Sequence, residues 1–367
     1  MKVIQILPEL NTGGVERGTL EVGKYLIDQG HESIVISNGG RLVTQLEAEG
    51  SRHISLPVHK KRLSSLKQVK ALRRLFEEER PDILHLRSRL PAWLAYLAWR
   101  KMDPTTRPRL VTTVHGFYSV NAYSAIMTKG ERVICVSNSV KDYVLQNYPK
   151  VSEDCLTVIH RGVDPADFPH GYQPPADWLA KWKATYPQLK GKFVITLPGR
   201  ITRLKGHQDL VEIITKLQAQ PDIHGLVVGG ASPKKASYLA EIQNLIGEAG
   251  LNDRITFTGH RGDMKNVLAV SDAVLSLTQQ PESFGRTTLE SLCLGTPVIG
   301  YNYGGVGEIL EAIFPEGAVE VGYSAEAAKK ILAWSKENPR VAPVQRFQLN
   351  VMLAQTLGCY KQLLANK

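Results

Sequence analysis

Glu282 and Glu290 sit at the two ends of the stretch ESFGRTTLE, where a β-branched run, AVLSLT, gives way to an apolar one, SLCLGTPVIGY. An ionised carboxylate only accepts hydrogen bonds, so two of them around the Phe284-Gly285 step suit hydroxyl pairs on a ligand. Leu289, Leu292 and Cys293 recur at helical spacing and Gly295 supplies a stop, which predicts a helix beginning near Phe284 or Gly285. The first amides of that helix would attract an anion. Glu282 then falls just ahead of the helix and Glu290 about a turn and a half inside it. The same glutamates would equally serve to complement the helix dipole, and the pair by itself leaves both readings open.

Other loops offer cations and glycines. Arg200 and Lys205 lie in LPGRITRLKGHQDLVE, directly after the strand-like FVITLPG. Two cations there would neutralise a diphosphate, Arg by its planar fork and Lys as a point charge. Taken alone they fit a solvated basic loop at least as well. Gly13 and Gly14 in PELNTGGVERG open the first helical pattern and suit either a phosphate cradle or a plain tight turn. Their spacing matches neither a dinucleotide fingerprint nor a Walker loop. His115 ends the strand-like RLVTTVHG and suits either a ligand hydroxyl or a half-buried structural role.

These loops need elements to hold them. Short β-branched runs alternate with amphipathic stretches along nearly the whole chain, from KVIQIL to LTVIH in the first half and from FVITLPG to AVEV in the second. That alternation reads as βαβ units, and 367 residues are too many for one core, so two doubly wound α/β domains are expected. The Pro- and Asp-rich DPADFPHGYQPPADW reads as the linker. This places the first domain at residues 1–170 and the linker with the second domain at 171–344. A last helical stretch, about 345–367, either stays with the second domain or packs back on the first. Open parallel sheets bind ligands beyond the carboxyl ends of their strands, where all these candidate residues lie.

Composition narrows the partners. With 43% hydrophobic and 22% charged residues the chain is a soluble globular protein rather than a disordered one. MKVIQILPEL runs straight into a strand-like segment and shows no leader, and no apolar run approaches the ~20 residues of a membrane span. Four scattered cysteines form no metal-type pair and fit a reducing cytoplasm. A net charge of +10 calls for an anionic partner, which nucleic acid, an anionic membrane face or a phosphorylated substrate would each satisfy.

The motifs taken together are more specific than any one of them. Glu282 and Glu290 with FG between them and GTPVI after, GGVER at 13–17, the HG of TTVHG, VSNS, RGVD, the GR-x4-KG of Arg200 to Gly206 and GGVGE at 304–308 occur in one order across nearly the entire chain. The series resembles the retaining GT-B glycosyltransferases of family 4, and the wording SFGRTTLESLCLGTPVIGYNYGGVGE is most similar to bacterial enzymes that build lipopolysaccharide core or related surface glycans. The resemblance implies two Rossmann-like domains facing across a cleft that closes on its substrates. The donor is then a UDP- or GDP-type nucleotide sugar, bound as a substrate with no cofactor or metal. Gly13 and Gly14 would face its diphosphate, and Arg200 and Lys205 would neutralise it. Glu290 would bind the ribose, Glu282 the transferred sugar, and Phe284 and Gly285 would line sugar and phosphate. The base would lie near Gly259, His260 and Arg261, and His115 would stand beside the reacting sugar. Retention implies front-face attack, with the leaving phosphate accepting the acceptor's proton and Glu282 orienting the donor.

HKKRLSSLKQVKALRR, residues 59–74, reads as an amphipathic basic helix, with Leu63, Leu66, Val69, Leu72 and, just beyond it, Leu75 on its apolar side. Lys60, Lys61, Arg62, Lys67, Lys70, Arg73 and Arg74 make it an acceptor or membrane patch, in keeping with a glycan or lipid-linked acceptor and peripheral contact with the cytoplasmic face of an anionic inner membrane. A solvated helix packed by its leucines is the plainer reading. Two further alternatives stand beside the transferase: a sugar-nucleotide epimerase of the same architecture, and a basic nucleic-acid-binding protein. Missing interleaved aromatics and zinc spacings argue against nucleic acid.

Overall fold

A computed structural model describes residues 1–11, 13–231 and 236–365, and leaves the side chains of Leu63 and Ser64 outside the description. Its contacts divide the chain into two units, Met1–His160 with Asn350–Lys367, and Arg161–Leu349. In the first, strands β1 (Lys2–Ile6), β2 (Glu32–Ser37), β3 (Arg52–Ser55), β4 (Ile83–Leu86), β5 (Arg109–Val114), β6 (Arg132–Cys135) and β7 (Leu156–Val158) form one sheet in the order β3-β2-β1-β4-β5-β6-β7. Helices α1 (Gly14–Asp28), α2 (Val43–Ala48), α3 (Lys67–Glu79), α4 (Arg89–Trp99) and α5 (Asn138–Asn147) connect them.

In the second unit α6 (Ala176–Thr185) leads into β8 (Phe193–Pro198), α7 (His207–Lys216), β9 (Ile223–Val228), α8 (Ala236–Glu248) and β10 (Ile255–Gly259). There follow α9 (Met264–Ala269), β11 (Ala273–Ser276), α10 (Arg286–Leu294), β12 (Val298–Tyr301), α11 (Gly304–Ile313), β13 (Ala318–Val319) and α12 (Ser324–Trp334). The sheet order is β10-β9-β8-β11-β12-β13. The ladders of both sheets are parallel. Parallel strands carry helices on both faces, which is why interior ones such as β4 and β9 are buried at every residue and read as largely apolar runs, each interrupted by one histidine.

The first unit's main span ends at His160, ahead of the Pro-rich stretch. Val163 bridges to Gln348 and Phe168 lies in the second unit's core, so the turn-rich segment belongs to that unit. The last helix, α13 (Leu349–Ala365), groups with the first unit from Asn350 onward. Tyr360, fully buried, fastens it there: its hydroxyl hydrogen-bonds His85 Nδ1 of β4 at 2.7 Å, and His85 Nε2 bonds Thr113 Oγ1 of β5 at 2.6 Å. Nearby, Arg87 is 2% exposed and donates to Gln5 Oε1 at 2.6 Å, while Gln5 Nε2 donates to the Thr19 carbonyl of α1 at 3.1 Å. Burial pushes the Arg87 guanidinium below its ordinary pKa.

The basic stretch at 59–74 is not one helix. Ser65 Oγ donates to the Lys60 carbonyl at 2.5 Å, and Leu63–Leu66 form a 3-10 turn, so α3 starts only at Lys67. A serine that bonds the backbone locally offers the chain an alternative to the helix ladder. Val69, Leu72 and Phe76 are buried in the first unit's core, and Leu66 is 54% exposed. The stripe is thus mostly internal packing. The cations Lys60, Lys61, Arg62, Lys67, Lys70, Arg73 and Arg74 are all exposed, with Arg73 and Arg74 paired to Glu77 and Glu78 at 2.7 and 2.6 Å. Among the described residues no helix is long and apolar enough to cross a membrane.

Removing the Tyr360 hydroxyl takes away a buried hydrogen bond to the His85 ring, a loss of about 1–3 kcal/mol. Tyr360→Phe should therefore lower the unfolding free energy of the first unit, read from urea melts, by that amount, and an unchanged value would show that the bond contributes nothing.

Candidate active site

The chain leaves β8 and β11 toward opposite edges of the second sheet, so their carboxyl ends flank a topological switch point. The loop after β8 closes on a 3-10 turn, Arg203–Lys205, and Gly206 at φ 69° and ψ 30° starts α7. A Cβ on Gly206 would overlap the Leu277 carbonyl oxygen beyond β11, so only glycine lets the two loops abut. Their abutment brings Lys205 into direct ion pairing with Glu282, whose Oε1 also accepts from Thr278 Oγ1 at 3.0 Å. The two side chains are 32% and 23% exposed, open to a ligand yet partly shielded from solvent. Pro198, Lys205, Thr278, Glu282 and Thr287 line a slot between the loops.

Glu282 is held from its other side by the glycines of GGVGE. It bridges to Gly304, its carbonyl accepts from the Gly305 amide at 2.7 Å, and a Cβ on Gly305 would overlap Phe284 Cα. Gly285, at φ 90°, caps α10, which starts at Arg286 and ends at Gly295 as its spacing predicts. Glu290 follows on the second turn, 12% exposed, and accepts from Arg286 Nε at 2.8 Å. The Phe284 ring is buried and meets Phe347 edge-on at 5.8 Å, so this side chain anchors the loop from the core.

Three residues that escaped the sequence reading support this arrangement. Thr278 and Arg286 each bond one of the two glutamates. Asp209 of α7, 7% exposed, accepts from Gln279 Nε2 at 2.9 Å and from the Tyr301 hydroxyl of β12, tying α7 to the loop after β11. Thr278 and Arg286 each stand four residues before their glutamate, a spacing that could have drawn attention to them, whereas the partners of Asp209 lie 70 and 92 positions away and leave no local signal.

The remaining candidates are placed as follows. Arg200 is exposed in the loop after β8. Gly259 ends β10 at φ 70° and His260 follows it. Arg261 donates to Asp263 Oδ1 at 2.8 Å and stacks over Trp182 at 5.3 Å, and Asp263 also accepts from Trp178 Nε1 at 2.7 Å. The hydrogen bond from Arg261 holds the Asp263 carboxyl below its usual range. Arg261 thereby fastens α6, which leaves Gly259 and His260 as the open positions of that trio. In the first unit Gly13 is the N-cap of α1 and Gly14 opens it, with the Glu16 carboxylate folded back against Gly13. His115 follows β5, its amide donating to the Tyr118 hydroxyl at 3.2 Å. Among the described residues no three His, Cys, Asp or Glu side chains gather as a metal set.

His207, next to Gly206, is 1% exposed, and burial, with the Lys205 charge adding, pushes its imidazole down to about 4. Burial pushes His224 of β9 down to about 4 as well. A histidine depressed from its ordinary 6.5 is neutral in the fold, so between those two values the unfolded chain binds a proton that the folded chain refuses. Stability is full above about 6.5 and declines toward about 4. Urea melts should show the second unit weakening over that window, with a shallower decline in His224→Gln; identical slopes would refute the assignment. Gly206→Ala should cost about 1–3 kcal/mol through its positive φ and also part Lys205 from Glu282, checked by urea melts and by ligand binding.

The chain is similar to known proteins in sequence and fold. A family model described as Glycosyltransferase Family 4 matches residues 12–167, and one described as Glycosyl transferases group 1 matches residues 180–348. The chain is 26% identical over 349 residues to the N-acetyl-alpha-D-glucosaminyl L-malate synthase of Bacillus anthracis, covering 91% of this chain and 87% of that protein. It is 30% identical over 193 residues to the lipopolysaccharide core biosynthesis mannosyltransferase LpsB of Rhizobium meliloti, covering 51% of this chain and 52% of that one. Among solved structures, a glycosyltransferase from Rickettsia africae ESF-5 superposes with a TM-score of 0.85 at 32% identity over 100% of this chain and 99% of its own. Anabaena HepE, solved with UDP and glucose, shares the fold at a TM-score of 0.81 and 20% identity over 99% and 100%. Two parallel-sheet units, the order of the loops and a full-length match at this identity agree: the chain belongs to the family 4 glycosyltransferases of the GT-B fold.

Proposed function

We propose that this glycosyltransferase moves a hexose from a UDP- or GDP-type nucleotide sugar to a hydroxyl of a glycan or lipid-linked acceptor, with retention of configuration and without a metal. The observation that carries the reading is the Lys205–Glu282 pair at the switch point, beside the N-terminus of α10. The donor diphosphate draws Lys205 and Arg200, and the first amides of α10 add fixed dipoles. The anomeric C–O bond breaks and its electron pair stays on the leaving phosphate oxygen. The acceptor hydroxyl attacks the same face of the anomeric carbon, and its proton passes to that oxygen. Glu282 accepts hydrogen bonds from the sugar and forms no covalent bond.

Glu290, oriented by Arg286, accepts from the ribose hydroxyls, and the base lies against Gly259 and His260. Gly13, Gly14 and His115 of the first unit are further candidates for contact with an anion and a ligand hydroxyl. The uridine form of the donor is supported by HepE, which was solved with UDP and glucose. The acceptor side is supported by the match to a lipopolysaccharide core mannosyltransferase and by the exposed cations from Lys60 to Arg74, which suit peripheral contact with an anionic inner-membrane face.

A thermal-shift screen against sugar nucleotides tests the reading. A ligand at a hundred times its dissociation constant adds about 2.7 kcal/mol, and one sugar nucleotide should give that shift, weakened in Glu290→Ala. No shift with any sugar nucleotide would overturn the donor site. With a donor in hand, Lys205→Ala should lower kcat by about 10²–10³-fold, the scale of losing one preorganised stabiliser of the leaving charge. Nucleotide diphosphate released only with acceptor present marks transfer, whereas interconversion of the free sugar nucleotide would mark an epimerase.

A further inference from the structure

A second group of charged side chains gathers in the first unit. Arg89 opens α4 just beyond β4, and its guanidinium lies 4.7 Å from the Tyr118 ring centre and 5.4 Å from that of Tyr123. Its Nη1 donates to Ser124 Oγ at 3.1 Å. Lys61 Nζ reaches over the same Tyr123 ring at 4.8 Å from the loop ahead of α3. Both rings are held by their backbones: Trp93 Nε1 donates to the Tyr123 carbonyl at 2.9 Å, and the Tyr143 hydroxyl to the Tyr118 carbonyl at 2.5 Å. Tyr118 also accepts from the amide of His115, so the group adjoins the end of β5.

Among the described residues neither cation is paired with a carboxylate, and the two segments that meet here, 59–76 and 104–130, contain no Asp or Glu. A guanidinium has five N–H donors in a rigid fork, and Ser124 takes one from Arg89. Cation–π contact leaves those donors in the ring plane, free to meet an anion, while the tyrosine faces limit the rotamers lost on binding. A phosphate or carboxylate met by Arg89 and Lys61 together gains charge-assisted hydrogen bonds, which a neutral hydroxyl cannot match.

We infer that Arg89 and Lys61, floored by Tyr118 and Tyr123, are the anion-recognising part of the acceptor site, and that the acceptor carries a phosphate or carboxylate close to the hydroxyl that receives the sugar. The inference rests on the transferase reading and adds a substrate class to it. It also separates two roles within the basic surface: Arg89 and Lys61 recognise a group on the acceptor, whereas Arg73 and Arg74 are already paired along their helix.

The test is calorimetric, on the full chain saturated with UDP or GDP, whichever the thermal screen selects, so that Arg200 and Lys205 are occupied. Inorganic phosphate and glucose 6-phosphate are titrated, with glucose as the uncharged control. Both phosphates should bind and glucose should not, and Arg89→Gln and Lys61→Gln should each weaken the phosphates by about tenfold or more, the worth of a charge-assisted bond. Nucleotide affinity should stay unchanged in both variants, which reports that they fold. Intact nucleotide binding with phosphate affinity absent, or indifferent to both substitutions, would overturn the inference and leave the transferase reading standing. Failure of the unsubstituted chain to bind any nucleotide would overturn that reading and this inference with it. Flotation with phosphatidylglycerol vesicles but not phosphatidylcholine ones, lost in Arg89→Gln, would support it with a lipid headgroup as the source of the anion. Glucose 6-phosphate binding without flotation would support it with the glycan as the source.

Discussion

The candidate site of the second unit depends on two loops being able to touch. The turn after β8 and the start of the segment after β11 come so close at Gly206 and the Leu277 carbonyl that no side chain fits between them. Because the strands that feed them are neighbours in the sheet, this contact fixes the height at which Lys205 and Glu282 meet. The glycines at 304 and 305 repeat the device from β12, pressing on the backbone of Glu282 and Phe284. Charge placed by backbone contact in this way costs little reorganisation when a ligand's own charge develops, which is the condition for electrostatic catalysis.

The first unit is organised around buried polarity instead. His85 and Arg87 sit two residues apart along one line of chain, each almost fully buried, and each bonds a side chain from another element, His85 through both ring nitrogens and Arg87 through Nη1. An unsatisfied polar group there would be costly, so the bonds to Tyr360, Thr113 and Gln5 specify how α13, β5 and β1 meet. Arg89 continues the same strand exit into solvent-accessible ground, where its charge rests on tyrosine faces. One short sequence, RSR at 87–89, therefore passes from a structural cation to a surface one within a single turn of chain.

The basic stretch shows where periodicity misleads. Leucines three apart and a train of lysines make residues 59–74 read as one helix, yet Ser65 bonds back to Lys60 and the helix waits until Lys67. Periodicity records which side chains are apolar and is blind to a local serine bond that competes with the helix ladder. Lys61 consequently stays in the loop, and its charge ends up over Tyr123, more than sixty positions away in the numbering. The same blindness hid the commitment of Arg261 to Asp263 and Trp182, because a cation in a loop looks the same from sequence whether it is free or stacked.

By itself the sequence determined the thirteen strands found among the described residues, the parallel class of both sheets, the helix between Gly285 and Gly295, and the loops in which chemistry belongs. These follow from local pattern: β-branched runs, helical spacing and glycines at turns are short-range signals that survive without neighbours. Tertiary structure alone decided that Lys205 faces Glu282, that Asp209 ties α7 to Gln279 and Tyr301, that Phe284 turns into the core, and that α13 joins the first unit through Tyr360. Each of these is a contact between residues made adjacent by strand order, by the close approach of two glycine-bearing loops, or by a buried hydrogen bond across elements. Such contacts depend on which strand lies next to which, a long-range property that no window of sequence contains.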